Sequence, residues 1–121
     1  MAITKVTEGV RTLGTGEVAT ANMATDPTNA NALFYLAQIA SQQRQFDSAF
    51  NYYKRAANSP NASNWLRAWC MLRVGNHLAF KGDPSEAREN FNRVVKMEGD
   101  LRGAREKAKE SLEKLAAEEM K

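Results

Sequence analysis

The stretch Ala32-Leu-Phe-Tyr-Leu-Ala-Gln-Ile-Ala-Ser-Gln-Gln-Arg-Gln-Phe-Asp-Ser-Ala-Phe-Asn-Tyr-Tyr-Lys-Arg-Ala-Ala-Asn-Ser-Pro60 decides how this chain is read. Leu33, Leu36, Ala37 and Ala40 recur at i, i+3, i+4 and i+7, the spacing that gathers apolar side chains on one face of an α-helix. A second stripe, Phe46, Ala49, Phe50, Tyr53, Ala56 and Ala57, follows a polar break at 41–45. Gln43-Arg44-Gln45 is a short connection, so the second helix turns back antiparallel and the two faces bury each other. Ala37, Ala40, Ala49 and Ala56 let the backbones approach, while Phe46, Phe50, Tyr52 and Tyr53 supply area to bury.

Working outward, Asp26-Pro27 is a start signal: an Asp side chain can cap free amides and a proline is pre-set for the first turn. The expected helices are 27–42 and 46–58. Ser59-Pro60 repeats that logic, and Trp65, Leu66, Trp69, Leu72 and Leu78 carry the apolar period through a longer helix, 61–80, which Gly82 stops. Asp83-Pro84-Ser85-Glu86 is the strongest local signal, with Asp83 as N-cap, Pro84 in the first helical position and Glu86 completing a capping box. A helix over 84–97 follows, with Ala87, Phe91, Val94 and Val95 on one face. Ala49 and Ala87, Tyr53 and Phe91, and Ala56 and Val94 each lie 38 positions apart, which is an internal repeat. Gly99-Asp100 then ends one helix and caps a last one, 101–118, whose stripe is Leu101, Ala104, Ala108, Leu112, Leu115 and Ala116. Glu106–Lys109 and Glu110–Lys114 are spaced for surface pairs, and the charge run reads as a solvated face. Such a helix, polar on one side, covers the open end of a repeat array.

At 121 residues the helical part, 26–121, forms one domain, with a weakly structured arm over 1–25 where Gly9, Gly14 and Gly16 break any helical pattern. That arm either stays flexible or pairs through Val6, Val10, Leu13 and Val18 with another copy of the chain; its Thr/Val/Gly-rich opening is similar in composition to the N-termini of phage tail structural proteins. The net charge of +3 is interspersed, with no Lys/Arg block to track phosphates, so nucleic acid is not an expected partner. No segment has the roughly 20 apolar residues of a membrane span, and no leader is evident, so a cytoplasmic protein is expected. Cys70 is the single cysteine, which fits a reducing compartment and a small buried residue. Cys70 and His77 are roughly 10 Å apart along one helix, beyond hydrogen-bond reach, and His77 reads as a partly exposed helix residue. With one His and one Cys, no His- or Cys-rich metal site and no enzyme is expected, and no cofactor. Thr12-Leu-Gly-Thr-Gly16 lacks the third glycine and lysine of a phosphate loop.

A small residue in each first helix (Ala37, Gly75), a bulky opener of the second (Phe46), an Ala in its first turn (Ala49, Ala87), an aromatic four residues later (Tyr53, Phe91) and Asp-Pro-x-Asn at 26–29 resemble the tetratricopeptide repeat. Gly82-Asp83 matches that family's inter-helix turn, and the likeness covers two copies over 26–99. The resemblance implies an all-α fold of antiparallel helix-turn-helix repeats stacked as a short right-handed α-solenoid. The spacing of 38 exceeds the usual period of about 34, which places an extension of the third helix near 61–64. Pro84 departs from the pattern by standing where a bulky opener is usual.

The resemblance also implies a protein-interaction module, with the first helix of each repeat lining a groove for an extended peptide or a partner helix. Carried onto this chain, the partner-binding residues are Asn31, Phe34, Gln38, Ser41 and Gln42, with Trp69, Leu72, Arg73 and Asn76. Amides there can satisfy a peptide backbone, Phe34 and Trp69 can anchor an apolar side chain, and Arg73 can take a carboxylate. Phe34 and Trp69 read equally as inter-helix core. The Lys/Asn pair by which chaperone-binding members clamp a terminal carboxylate is absent at Phe34 and Gln38. The alternative is a self-associating structural protein, a homodimer or other homo-oligomer of phage-structural type, because two repeats leave apolar faces uncovered at the ends of a stack.

Overall fold

The computed structural model describes residues 28–120, and the secondary structure among them is helical throughout. Five helices follow one another: α1 Ala30–Gln42, α2 Phe46–Ala57, α3 Asn64–Phe80, α4 Pro84–Lys96 and α5 Ala104–Glu119. The arm over 1–25 and the Asp26-Pro27 start signal lie outside the described residues. Within the stretch expected as one helical domain, the chain divides into two compact units, with the boundary between Ala62 and Ser63.

The first unit holds the hairpin of α1 and α2. Its start is satisfied from two sides: Ala32 N–H donates to the Asn29 side-chain oxygen at 2.9 Å, and Ala30 N–H donates to Asn61 Oδ1 at 3.1 Å. That second contact explains why Ser59-Pro60 does not start the third helix, as its sequence suggests. Ser59 is 3% exposed, and its hydroxyl is held between the Thr28 carbonyl and Asn61 Oδ1. The side chain that looked free to cap forward is taken up closing the hairpin backward. Helix α3 begins only at Asn64, with Ser63 at its N-cap.

Leu33, Ala37 and Ala40 of α1 bury against Ala49, Tyr53 and Ala56 of α2. Phe46 departs from expectation: it opens α2 at the tip of the hairpin, where α1 has already ended, and is 51% exposed. On the flank of α2, Lys54 lies over the Phe50 ring at 5.2 Å and Arg55 over Tyr52 at 5.9 Å, so long cationic side chains partly cover aromatic faces.

The turn between paired helices is the same in both repeats. In the first, Gln45 N–H donates to Ala40 O and Arg44 N–H to Ser41 O; in the second, Asp83 N–H donates to Leu78 O and Gly82 N–H to Ala79 O. These are the two bonds of a Schellman C-cap, which needs a left-handed residue just past the helix end. Arg44 (φ 60°) and Gly82 (φ 91°) fill that place, 38 positions apart. Because Asp83 N–H is used in this way, the capping box is half formed: Asp83 accepts from Glu86 N–H at 3.3 Å, and its own amide goes to Leu78.

The second unit holds α3, α4 and α5. Helix α3 has 17 residues against 13 in α1. The helix ends, Gln42 and Phe80, lie 38 positions apart, but the starts, Ala30 and Asn64, lie 34 apart. The four residues by which the two spacings differ are thus one extra turn, 64–67, at the front of α3. Leu72, Ala87, Phe91 and Val94 bury together with Leu101, Ala104, Ala108 and Leu115, and α5 packs on both α4 and α3.

Asp100 does not cap the last helix. Its carboxylate accepts Arg102 N–H at 2.9 Å, tightening the linker, and α5 starts at Ala104 behind Gly103. The Arg105 guanidinium donates to the Met97 carbonyl and, at 3.0 Å, to Gly99 O, so a side chain of α5 satisfies the acceptors left where α4 ends. Ala116 is exposed, since the stripe that packs is set by Ala104, Ala108 and Leu115. Among the described residues the ion pairs of α5 are Lys107–Glu110 at 3.6 Å and Arg88–Glu119, rather than Glu106–Lys109 and Glu110–Lys114. Being exposed, each adds little stability.

Candidate functional site

Trp69, Leu72, Arg73 and Asn76 stand at i, i+3, i+4 and i+7 of α3 and share one face. The structure brings all four together in a cleft of about 540 Å³ in the second unit, with α5 as the facing wall. Leu72 and Phe91, both buried, form the floor; Trp69 is half-buried; Arg73 and Asn76 stand exposed at the rim. The helical period alone produces this gradient, because the residues facing the core and those facing water differ by one position along the same stripe.

Across the cleft α5 presents Lys107, Glu110, Ser111, Lys114 and Glu118. Ser111 donates loosely to Asn76 Oδ1 at 3.5 Å, and Lys107 pairs with Glu110. Arg73 makes no hydrogen bond or ion pair among the described residues, so its guanidinium is available to a ligand anion. Behind it, burial pushes the Cys70 thiol from 9.0 up to about 12, an effect the Arg73 charge partly offsets. Such a thiol stays protonated at neutral pH and is a packing residue.

The other five residues named from the sequence sit on α1 in the first unit. Asn31 and Gln42 are exposed, and Gln38 and Ser41 are half-buried. The Phe34 ring lies 6.2 Å from Tyr53 in an edge arrangement and 6.2 Å from Tyr35, so of its two readings the packing one describes what it touches. Sequence reasoning missed the α5 wall, whose charges were read as a solvated face. A signal was present: Lys107, Ser111 and Glu118 each stand three positions after a buried residue of the stripe, Ala104, Ala108 and Leu115, on its flank. Once that stripe docks, its flank must border whatever groove the docking leaves.

Among the described residues no group of three or more His, Cys, Asp or Glu side chains could hold a metal ion, and no helix is long and apolar enough to cross a membrane. The cleft offers an apolar floor, an amide, a hydroxyl and rim charges of both signs.

No curated protein and no solved structure matches the chain. Residues 31–62, the first helix pair with the turn that closes it, match the family model described as Tetratricopeptide repeat. With that match, the all-helical architecture and the same Schellman turn recurring 38 residues on make the helix pairs of this chain similar to tetratricopeptide repeats.

Proposed function

We propose that this protein is a non-catalytic interaction module whose cleft between α3 and α5 takes an extended peptide segment of a protein partner. The observation that carries the reading is the convergence of Trp69, Leu72, Arg73 and Asn76 on one cleft with an apolar floor and an unengaged guanidinium at its rim. An apolar ligand side chain sits over Leu72 beside the Trp69 indole, a carboxylate pairs with Arg73, and the Asn76 amide meets the ligand backbone. Peptide selection from a random display library tests it. Selected peptides should carry an apolar residue close to an Asp or Glu, and an Arg73→Glu, Asn76→Ala double variant should lose about tenfold or more in affinity for them. Equal affinity of the double variant would remove the cleft from the account.

Self-association is the second reading, favoured by one observation. Phe80 is 82% exposed and Met120 is 88% exposed, so the second unit shows large apolar groups to solvent. Sedimentation at several concentrations separates the readings: a strict monomer that binds selected peptides excludes this one, and a concentration-dependent dimer lost in Phe80→Ser supports it.

A further inference from the structure

The extra turn that opens α3 has no counterpart in α1, and it carries Trp65. The guanidinium carbon of Arg102 lies 3.9 Å from the centroid of the Trp65 ring, well inside the range of about 6 Å over which a cation is attracted to an indole face. One turn further along, Trp69 Nε1 donates to the Arg102 backbone carbonyl at 3.2 Å. Two indoles of one helix therefore grip one residue of the linker that precedes α5, the first by its side chain and the second by its backbone.

Arg102 holds this place against its own backbone preference. Its φ is 53°, in the left-handed region that non-glycine residues disfavour, and the next residue, Gly103, has φ 88° and is the N-cap of α5. A glycine would meet the conformation at lower cost. What an arginine adds there is the guanidinium over Trp65.

We infer that Arg102 is a positioning residue: clamped by Trp65 and Trp69, it fixes where α5 begins and thereby sets the width of the cleft that α5 walls. The four residues of that extra turn are the device that makes this possible, because a helix starting at the α1 register would lack Trp65. The cleft's use rests on the peptide-binding reading above; its width does not.

The test measures width without a ligand. Spin labels at Arg73→Cys and Lys114→Cys straddle the cleft, and Cys70, fully buried, takes no label. Amide hydrogen exchange of α5 is followed in parallel. In Arg102→Gly, which relieves the backbone, the inter-label distance distribution should broaden, and exchange in the first turns of α5 should rise about two- to fivefold, the loss expected of one exposed cation–π stack. Exchange in α3 and α4 should stay as it was. Arg102→Lys keeps a cation over the indole and should recover part of the protection. Trp65→Ala should match Arg102→Gly, with the double variant no worse than either alone. If Arg102 serves only as a turn residue, Arg102→Gly will leave both readouts unchanged or tighten them, and that overturns the inference. Additive losses in the double variant overturn it too. Failure to find a peptide ligand leaves both readouts standing, so the two claims fail separately.

Discussion

A Cβ added to Gly75 would lie 2.6 Å from Cε1 of Phe91, closer than carbon atoms approach in folded proteins. Helices α3 and α4 meet here, and the smallest residue in one makes room for the largest fully buried side chain of the other. Gly75→Ala gains about 1 kcal/mol of helix propensity but incurs an overpacking cost of about 1–3 kcal/mol, so a modest net loss of stability is expected. Gly75→Val forfeits the propensity gain and should lose roughly 3 kcal/mol or more. Urea unfolding of both variants checks the order, and Phe91→Leu should restore part of the loss.

The paired turns give an experiment with opposite signs at equivalent positions. Arg44 and Gly82 occupy the same left-handed place in the two Schellman caps, at φ 60° and 91°. Arg44→Gly should stabilise and Gly82→Ala should destabilise, each by about 1 kcal/mol, because the left-handed conformation costs a non-glycine residue about that much. Thermal unfolding of the two variants reads both signs at once.

How much was legible follows from where the physics is local. The 38-residue recurrence of Ala49 with Ala87 and Tyr53 with Phe91 was readable because a helix pair repeats its packing with its sequence. The Asp83-Pro84-Ser85-Glu86 start was readable because its cap lies within three residues. Ser59 misled because the same hydroxyl can cap forward or close backward, and only the fold puts the Thr28 carbonyl within its reach. Within the candidate site, the α3 half was legible from the family pattern. Lys107, Glu110, Ser111 and Lys114 were missed: a place on the flank of the packed stripe is readable, but only the docking of α5 on α3 makes that flank the wall of a cleft.

Ser59 closes the first unit, and removing its buried hydroxyl loses the hydrogen bond to the Thr28 carbonyl. Ser59→Ala should destabilise by about 1 kcal/mol. Asn61→Ala should also lower stability, because it removes the acceptor of Ala30 N–H. Denaturant melts of the two single variants and the double measure their coupling, which should be less than additive since both act on one network.

The Cys70 thiol carries a signed pH dependence. Its native pKa is raised by burial from 9.0 to about 12, so the unfolded chain releases the proton at a lower pH than the native one. The associated stability is fully present below pH 9.0 and is lost progressively as pH rises from there toward about 12. Wild type should therefore fall more steeply than Cys70→Ala in urea midpoint across that window. At pH 8 the native thiol should resist a thiol reagent that modifies it promptly in urea.

The central claim is that the cleft between α3 and α5 is where a partner peptide binds. Chemical-shift mapping with a library-selected peptide tests it most directly. The account predicts shifts at the Trp69 indole, Arg73, Asn76, Ser111 and Lys114, all of them cleft residues. Shifts confined to the α1–α2 hairpin, or to the face of α4 turned away from the cleft, would contradict it.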